Sequence, residues 1–514
     1  MSLRLRNTLS RRIEEVLPLG GSTVRMYSCG PTVYHYAHIG NLRTFMLADF
    51  IRRALLYHGV AVRHVKNITD VGHMRDEHRD DGGDRILVQA ELEGRSAREL
   101  AAHYEAAFHA DEALVNILPA HVFPRATEHV SEMIALAERL QDLNLAYVAE
   151  DGTLYYDVGA FSEYGRLSGN TPSNLRAGHR GTVDPHKRDA ADFALWKQAE
   201  PGRALTWPSA RWGVGFPGWH LECSAMSRHY LGDRFDIHTG GLDNIFPHHE
   251  DEIAQSAPVT GEVPARIWVH GEHLLTGGRK MAKSAGNSQR ITDLVEADIE
   301  TLALRYLALT ARYGHKLNTS LESLRGAAAA LASLRARVAA LGPPPVRGPW
   351  IAPPVLAAAA AGARPVGEAW GVGGHRAPAA PEMPLSDRAH EPAAPLSSAG
   401  HELHRRFAEA VDDNLDLPVA LAAVRDALRA EIPDDEKRWL ALDADLVLGL
   451  DLHAVWQRSV GHEGNAPSPH VQELLAARDR ARAASDFATA DAIRETLRGL
   501  GHQVADSRRR NSSV

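Results

Sequence analysis

Apolar and polar positions change period along the chain, and the changes mark out elements. Thr23–Cys29 alternates through Val24 and Met26, and Val62–Ile68 is a second short run rich in β-branched residues; both predict strands. Between them, Leu42, Phe45, Met46, Ala48, Phe50 and Leu55 recur at three-and-four spacing, which predicts a helix over about 41–57, ended by His58-Gly59. Strand, turn, helix and strand make a βαβ unit, so a parallel sheet with ligands at its carboxyl edge is expected.

The pattern then turns helical over about 88–147. Residues 150–217 are broken so often by Gly, Pro, Trp and Asp that they read as an irregular α+β insertion. A second α/β set begins near 218. Arg234–His238 reads as a short strand entering Gly240-Gly241, Pro247 opens a helix through Ser256, and Ile267–His270 is a further strand. Residues 292–341 are helical in pattern. Of the 60 positions from 341 to 400, Ala, Pro and Gly fill 15, 12 and 8, which makes this stretch a semi-extended linker. Helical patterns return near 401–430 and 471–500, and the Arg-rich end, 506–514, is expected to be disordered.

Composition narrows the classes. With 514 residues, 44% hydrophobic and 24% charged, the chain is an ordinary globular protein of several domains. No apolar run approaches the roughly 18 residues of a membrane span, and the start lacks the apolar core of a secretory signal, so a cytoplasmic protein without membrane contact is expected. A net charge of −8 excludes a protein that coats nucleic acid through overall basic charge, but leaves a local basic patch open. The two cysteines, Cys29 and Cys223, stand 194 positions apart, and composition leaves core thiols, metal ligands and a nucleophile all open.

Three stretches carry candidate chemistry. Pro31–Asn41, between the first strand and its helix, places His35, His38 and Gly40 where a nucleotide meets a helix N-terminus. Gly277–Ser284, with Arg279, Lys280 and Lys283, is a basic glycine-rich loop suited to phosphate. His248 and Glu252 are four apart, so a helix presents them on one face, and with two thiolates they would suit tetrahedral zinc. Their spacing alone is a weak zinc signal. The same helical geometry turns the adjacent His249 about 100° away, into a supporting role.

Taken together, His38-Ile39-Gly40-Asn41 and Lys280-Met281-Ala282-Lys283-Ser284 resemble the two signature motifs of class I aminoacyl-tRNA synthetases, with Asn41 and Ala282 departing from the usual His and Ser. Met26–Thr32, Gly218–Met226, Phe235–Gly241, Phe246–Ser256 and Phe407–Pro418 are similar to cysteinyl-tRNA synthetases in order and spacing. Thr69-Asp70-Val71-Gly72-His73 departs from that family's usual acidic run and continues into an acidic insertion through Asp84.

The resemblance implies a Rossmann-type catalytic domain in two halves, 1–120 and 216–300, split by a connective insertion at 121–215. A helical stem-contact region at 301–341, the linker at 342–400 and a helical anticodon-side domain at 401–505 would follow. It implies cysteine activation with ATP and transfer to the 3′-terminal ribose of tRNA(Cys), by a monomer. Zinc, one per chain, would sit on Cys29, Cys223, His248 and Glu252, and Mg²⁺ would accompany ATP. His38, Lys280 and Lys283 would be catalytic. His35, His38, Gly40, Asn41 and Lys283 would contact ATP. Gly30, Thr69, Trp219, His238 and Asp243 would line the cysteine pocket. A related ligase that passes cysteine to a small amine, as in mycothiol biosynthesis, is the alternative; it lacks much of the C-terminal region.

Overall fold

The computed structural model describes residues 2–72, 84–171, 184–281, 288–344 and 396–456, together with Arg478. The chain divides into two compact units, 1–452 and 453–514. The account below concerns the first; of the second, only 453–456 and 478 are described.

A four-stranded parallel sheet forms its centre. β1 (Thr23–Ser28) leads through α1 (Ile39–Tyr57) to β2 (Ala61–Lys66); after the insertion come α2 (Trp219–Leu231), β3 (Phe235–Gly241), α3 (Glu250–Thr260) and β4 (Ala265–Gly271). The strand order is β4-β3-β1-β2, with Met26 of β1 opposite His64 of β2 and Ile237 of β3. The chain goes from β1 outward to β2 and then returns to β1's other side, so the topological switch lies between β1 and β3. In open parallel sheets, ligands bind in the crevice at the carboxyl ends beside that switch. Cys29, Thr69, Gly240-Gly241 and His270 all stand at those ends.

Helix α1 starts two residues before the expected position because His38 caps it. The His38 ring Nδ1 accepts from the Asn41 backbone N–H (3.1 Å), and the Asn41 side chain accepts from the His38 backbone N–H (3.1 Å). Gly59, at φ +72°, stops the chain from continuing as helix.

The stretch 146–217 is more regular than its breaks suggested. It contributes a five-stranded antiparallel sheet, Ala146–Val148, Leu154–Tyr156, Phe193–Gln198, Gly213–Pro217 and Trp207–Ser209 in spatial order. Four of those strands span five residues or fewer, too short to establish a period. This sheet shares one core with the catalytic sheet. Leu154, Tyr156, Leu195 and Trp196 pack in the same buried cluster as Tyr27, Leu221, Met226 and Trp268.

After β4, helices Ile291–Glu296, Leu302–Leu309 and Leu321–Ala340 fall within the stretch expected to be helical, with a short strand at Leu317–Thr319. Helices Ser398–Asp412, Leu417–Ala427 and Asp434–Leu448 belong to the first unit. The first and third dock on the end of α1, where the Tyr57 hydroxyl donates to Asp443 (2.8 Å) and His58 Nε2 lies 2.6 Å from Asp412 Oδ1. Of the linker expected at 342–400, residues 345–395 lie outside the described residues and its last three open the helix Ser398–Asp412; the helix expected at 471–500 and the 506–514 tail also lie outside them, Arg478 apart. Among the described residues, no helix is long and apolar enough to cross a membrane.

Candidate functional site

Cys29 follows β1, Cys223 lies in the first turns of α2, and His248 and Glu252 straddle the start of α3. One ligand atom from each falls within 4.8 Å of every other, and three of the four residues are fully buried. His248 Nε2 is 3.1 Å from Glu252 Oε1, and Cys29 Sγ is 3.9 Å from the same oxygen. Glu252 Oε2 is also 2.8 Å from His238 Nε2. Two sulfurs, an imidazole and a carboxylate converging in a dry site are a donor set for tetrahedral zinc, and the residues fit that ion.

The protonation tendencies express the same crowding. Burial pushes the Cys29 thiol well up, and Cys223 and Glu252 add to it. A hydrogen bond with Cys29 holds Cys223 below its ordinary value against burial. Burial opposes the charge on Glu252, but His238 and His248 outweigh it and bring the carboxyl down to about 2.

His249 lies close behind the four ligands. Residues 245–249 form a wide turn with Phe246 in extended conformation (φ −140°, ψ 132°), and α3 begins at Glu250. His249 Nε2 lies 3.1 Å from Cys29 Sγ, and Cys29, His238, His249 and Glu252 form a second, overlapping donor group. Burial together with His238 and His270 holds His249 well below the ordinary imidazole value. Its Nδ1 is 2.8 Å from His270 Nε2, and His270 Nδ1 is 2.7 Å from the Thr8 hydroxyl. Sequence reasoning passed over His270, although its place at the carboxyl end of a predicted strand was a usable signal.

The expected cysteine-pocket residues surround this cluster. The Trp219 ring lies 4.7 Å from that of His248, and His238 stacks on Trp268 at 4.7 Å. The Thr69 hydroxyl donates to Glu222 Oε2 (2.7 Å). Asn67, also missed by sequence reasoning, joins the sheet ends: its Oδ1 accepts from the Gly30 N–H (2.9 Å) and its Nδ2 donates to Thr69 (3.2 Å). A side chain at Gly30 would collide with the Asn67 carbonyl at 1.7 Å, so only glycine fits there.

The phosphate side is built differently. His35 is exposed and stacks on Tyr104 with ring centroids 6.0 Å apart, whereas His38 caps α1 with Asn41. Gly40 leaves the room that the His38 ring occupies, since a Cβ there would stand 3.0 Å from it. Lys280 Nζ bonds Asp243 Oδ2 (2.5 Å), and both side chains are at least half exposed. The structure thus brings Asp243 to Lys280 and, at 3.7 Å, to His273. Lys283 and Ala282 lie outside the described residues.

Residues 15–329 match the family model described as tRNA synthetases class I (C) catalytic domain, and residues 466–511 match the cysteinyl-tRNA ligase anticodon binding domain. A cysteine–tRNA ligase of Burkholderia lata is 39% identical over 510 residues, covering 99% of this chain and 96% of its own length. One from Thermus thermophilus is 38% identical over 518 residues, covering 99% and 98%. The chain belongs to the cysteine–tRNA ligase family. It is a class I aminoacyl-tRNA ligase. In structure it is similar to the LeuRS–tRNA–LeuAMS ternary complex of Agrobacterium radiobacter K84 (TM-score 0.54, 9% identity, 86% of each chain). It is also similar to the methionyl-tRNA synthetase of Mycobacterium tuberculosis (TM-score 0.50, 16% identity, 87% of this chain and 95% of that one). At those identities the likeness speaks for the fold.

Within the cysteine–tRNA ligase family, the Asn41 departure has a local rationale. A residue at this third helical position must accept from the cap's backbone N–H, and an amide oxygen does so from a short side chain.

Proposed function

We propose that this ligase activates L-cysteine with ATP and transfers it to the 3′-terminal ribose of tRNA(Cys), as a cytoplasmic monomer holding one zinc ion. The observation that carries the reading is the convergence of Cys29, which follows β1, with Cys223 of α2 and with His248 and Glu252 around the start of α3. Zinc held there supplies a soft coordination position that suits a cysteine sulfur and that serine and alanine cannot match. A missing polar contact discriminates far more than the roughly 1–3 kcal/mol of a methylene in an apolar pocket.

The chain's own residues do the rest by positioning and charge. Trp219 and His238 wall the side-chain end of the pocket, and Gly30 and Thr69 lie on its floor. Asp243 stands at the rim to meet the ammonium group. The cysteine carboxylate attacks the α-phosphorus of ATP and pyrophosphate leaves; a hydroxyl of the 3′-terminal ribose then attacks the adenylate carbonyl, loses its proton, and AMP leaves. His35, His38, Gly40 and Asn41 form the turn that receives the nucleotide, at the positive end of the α1 dipole. Lys280 and Lys283 neutralise charge on the transferring phosphorus, and Mg²⁺ accompanies the ATP phosphates.

The test is cysteine-dependent ATP–pyrophosphate exchange, followed by charging of total tRNA. The full chain should do both. A chain cut after Leu452, where the first compact unit ends, should keep exchange nearly intact and lose most charging. Exchange by the full chain without charging of any tRNA would overturn the tRNA assignment in favour of a small-amine acceptor.

A further inference from the structure

We propose that Tyr164, Asp251 and His220 form a hydrogen-bond chain that fixes the proton and the ring of His248 for metal binding, so that the inserted region positions the metal centre. The inference rests on the reading of Cys29, Cys223, His248 and Glu252 as zinc ligands.

His248 presents Nε2 to the other ligands, 3.1 Å from Glu252 Oε1. A metal there takes the lone pair of Nε2, so the neutral ring carries its proton on Nδ1. That nitrogen lies 3.0 Å from Nδ1 of His220. His220 must then present a lone pair at Nδ1 and carry its own proton on Nε2. Nε2 of His220 lies 3.3 Å from Asp251 Oδ2, and the Tyr164 hydroxyl donates to Asp251 Oδ1 (2.5 Å). A carboxylate accepts both donors, and every proton along the chain is assigned from its metal end.

The surroundings hold this arrangement in place. Asp251 is buried in the first turn of α3; burial pushes its carboxyl well up, while the Tyr164 hydroxyl donating to it and the helix N-terminus favour the charged form. The His220 ring is flanked by Phe193 (5.6 Å, edge-on), and the His248 ring by Trp219 (4.7 Å). Tyr164 and Phe193 both belong to the region between β2 and α2, so the insertion supplies the far end of the chain and one of its walls. Neighbouring Glu250 ties the same region down, accepting from the backbone N–H groups of Gly165 (3.0 Å) and Ser168 (2.7 Å).

Asp251→Asn keeps the shape and reverses the logic. An amide NH₂ facing His220 Nε2 makes that nitrogen an acceptor, moves its proton to Nδ1, and leaves the wrong tautomer at His248. Tyr164→Phe removes one oxygen and keeps the ring, so it serves where the first variant fails to fold. Zinc affinity of the full chain is measured by competition with a chromogenic chelator, and the cobalt-substituted protein is examined by its visible ligand-field bands. Asp251→Asn should weaken zinc about 10–100-fold and shift the cobalt bands; Tyr164→Phe should weaken it by about tenfold or less. Variants that match a zinc-binding wild type in both readouts overturn the chain alone. A wild-type chain that takes up no zinc overturns the ligand assignment beneath it.

Discussion

The two ends of the substrate crevice are built on opposite principles. At the cysteine end, Cys29, Cys223, His248 and Glu252 come from three separate elements, and His238, His249, His270 and Asn67 hold them from behind. At the phosphate end, the His38 ring caps α1, and Lys280 is half exposed and paired with an exposed carboxylate. On the proposed function, the first site would recognise by fixed geometry and exclude a wrong ligand before any reaction. The second would meet a charge that moves during the reaction, with Lys280 half exposed close to Gly277-Gly278. Rigidity would then be concentrated where identity is read.

The contrast is broken most directly at the cysteine end. Cys223→Ser should raise the KM for cysteine in pyrophosphate exchange by more than the roughly 100-fold that an outer-shell change can cost, while leaving the KM for ATP close to its original value. Equal effects on both substrates would mean that the two ends are not separate. At the other end, Lys283→Ala should lower kcat for exchange by about 10²–10³ with little change in KM, as expected for a contact made in the transition state. Lys280→Ala should cost less, because its ground-state partner Asp243 already draws it aside. A reversal of that order would make Lys280 the principal lysine.

The smallest effect sharpens the comparison within α1. His38→Ala should lose the cap, at about 1 kcal/mol of stability by thermal unfolding, as well as activity. His38→Asn should restore the stability without restoring adenylate formation. Recovery of both would reduce His38 to a cap.

The parallel sheet was legible from its short apolar runs and the helix between them. The four-residue donor set was legible only through the resemblance to cysteinyl-tRNA synthetases, because its spacing alone is a weak zinc signal. His249 was read only as a support beside His248; that it also belongs to a second donor group with Cys29, His238 and Glu252 depends on contacts between separate elements, which periodicity does not show. The five-stranded sheet of the insertion was illegible because strands such as Ala146–Val148 and Trp207–Ser209 are too short to show alternation. The helices from 398 to 448 carry an ordinary amphipathic pattern. Nothing in it says that their partner is α1, several hundred residues earlier, because docking depends on contacts such as Tyr57 to Asp443. Tyr164 and Asp251 were invisible for the same reason: their bond spans 87 positions.

Cys29 and Cys223 stand on either side of the entire insertion, 194 positions apart. An ion gripping both would act as a cross-link closing a long loop, and the entropy such a closure removes from the unfolded chain grows with loop length, by about 0.6 kcal/mol for each doubling. The atom that reads the substrate would thereby also bind the early and late parts of the chain into one body. Metal starvation would then erode the persistence of the folded molecule together with its selectivity, coupling the supply of a trace element to the quantity of working enzyme and not only to its accuracy.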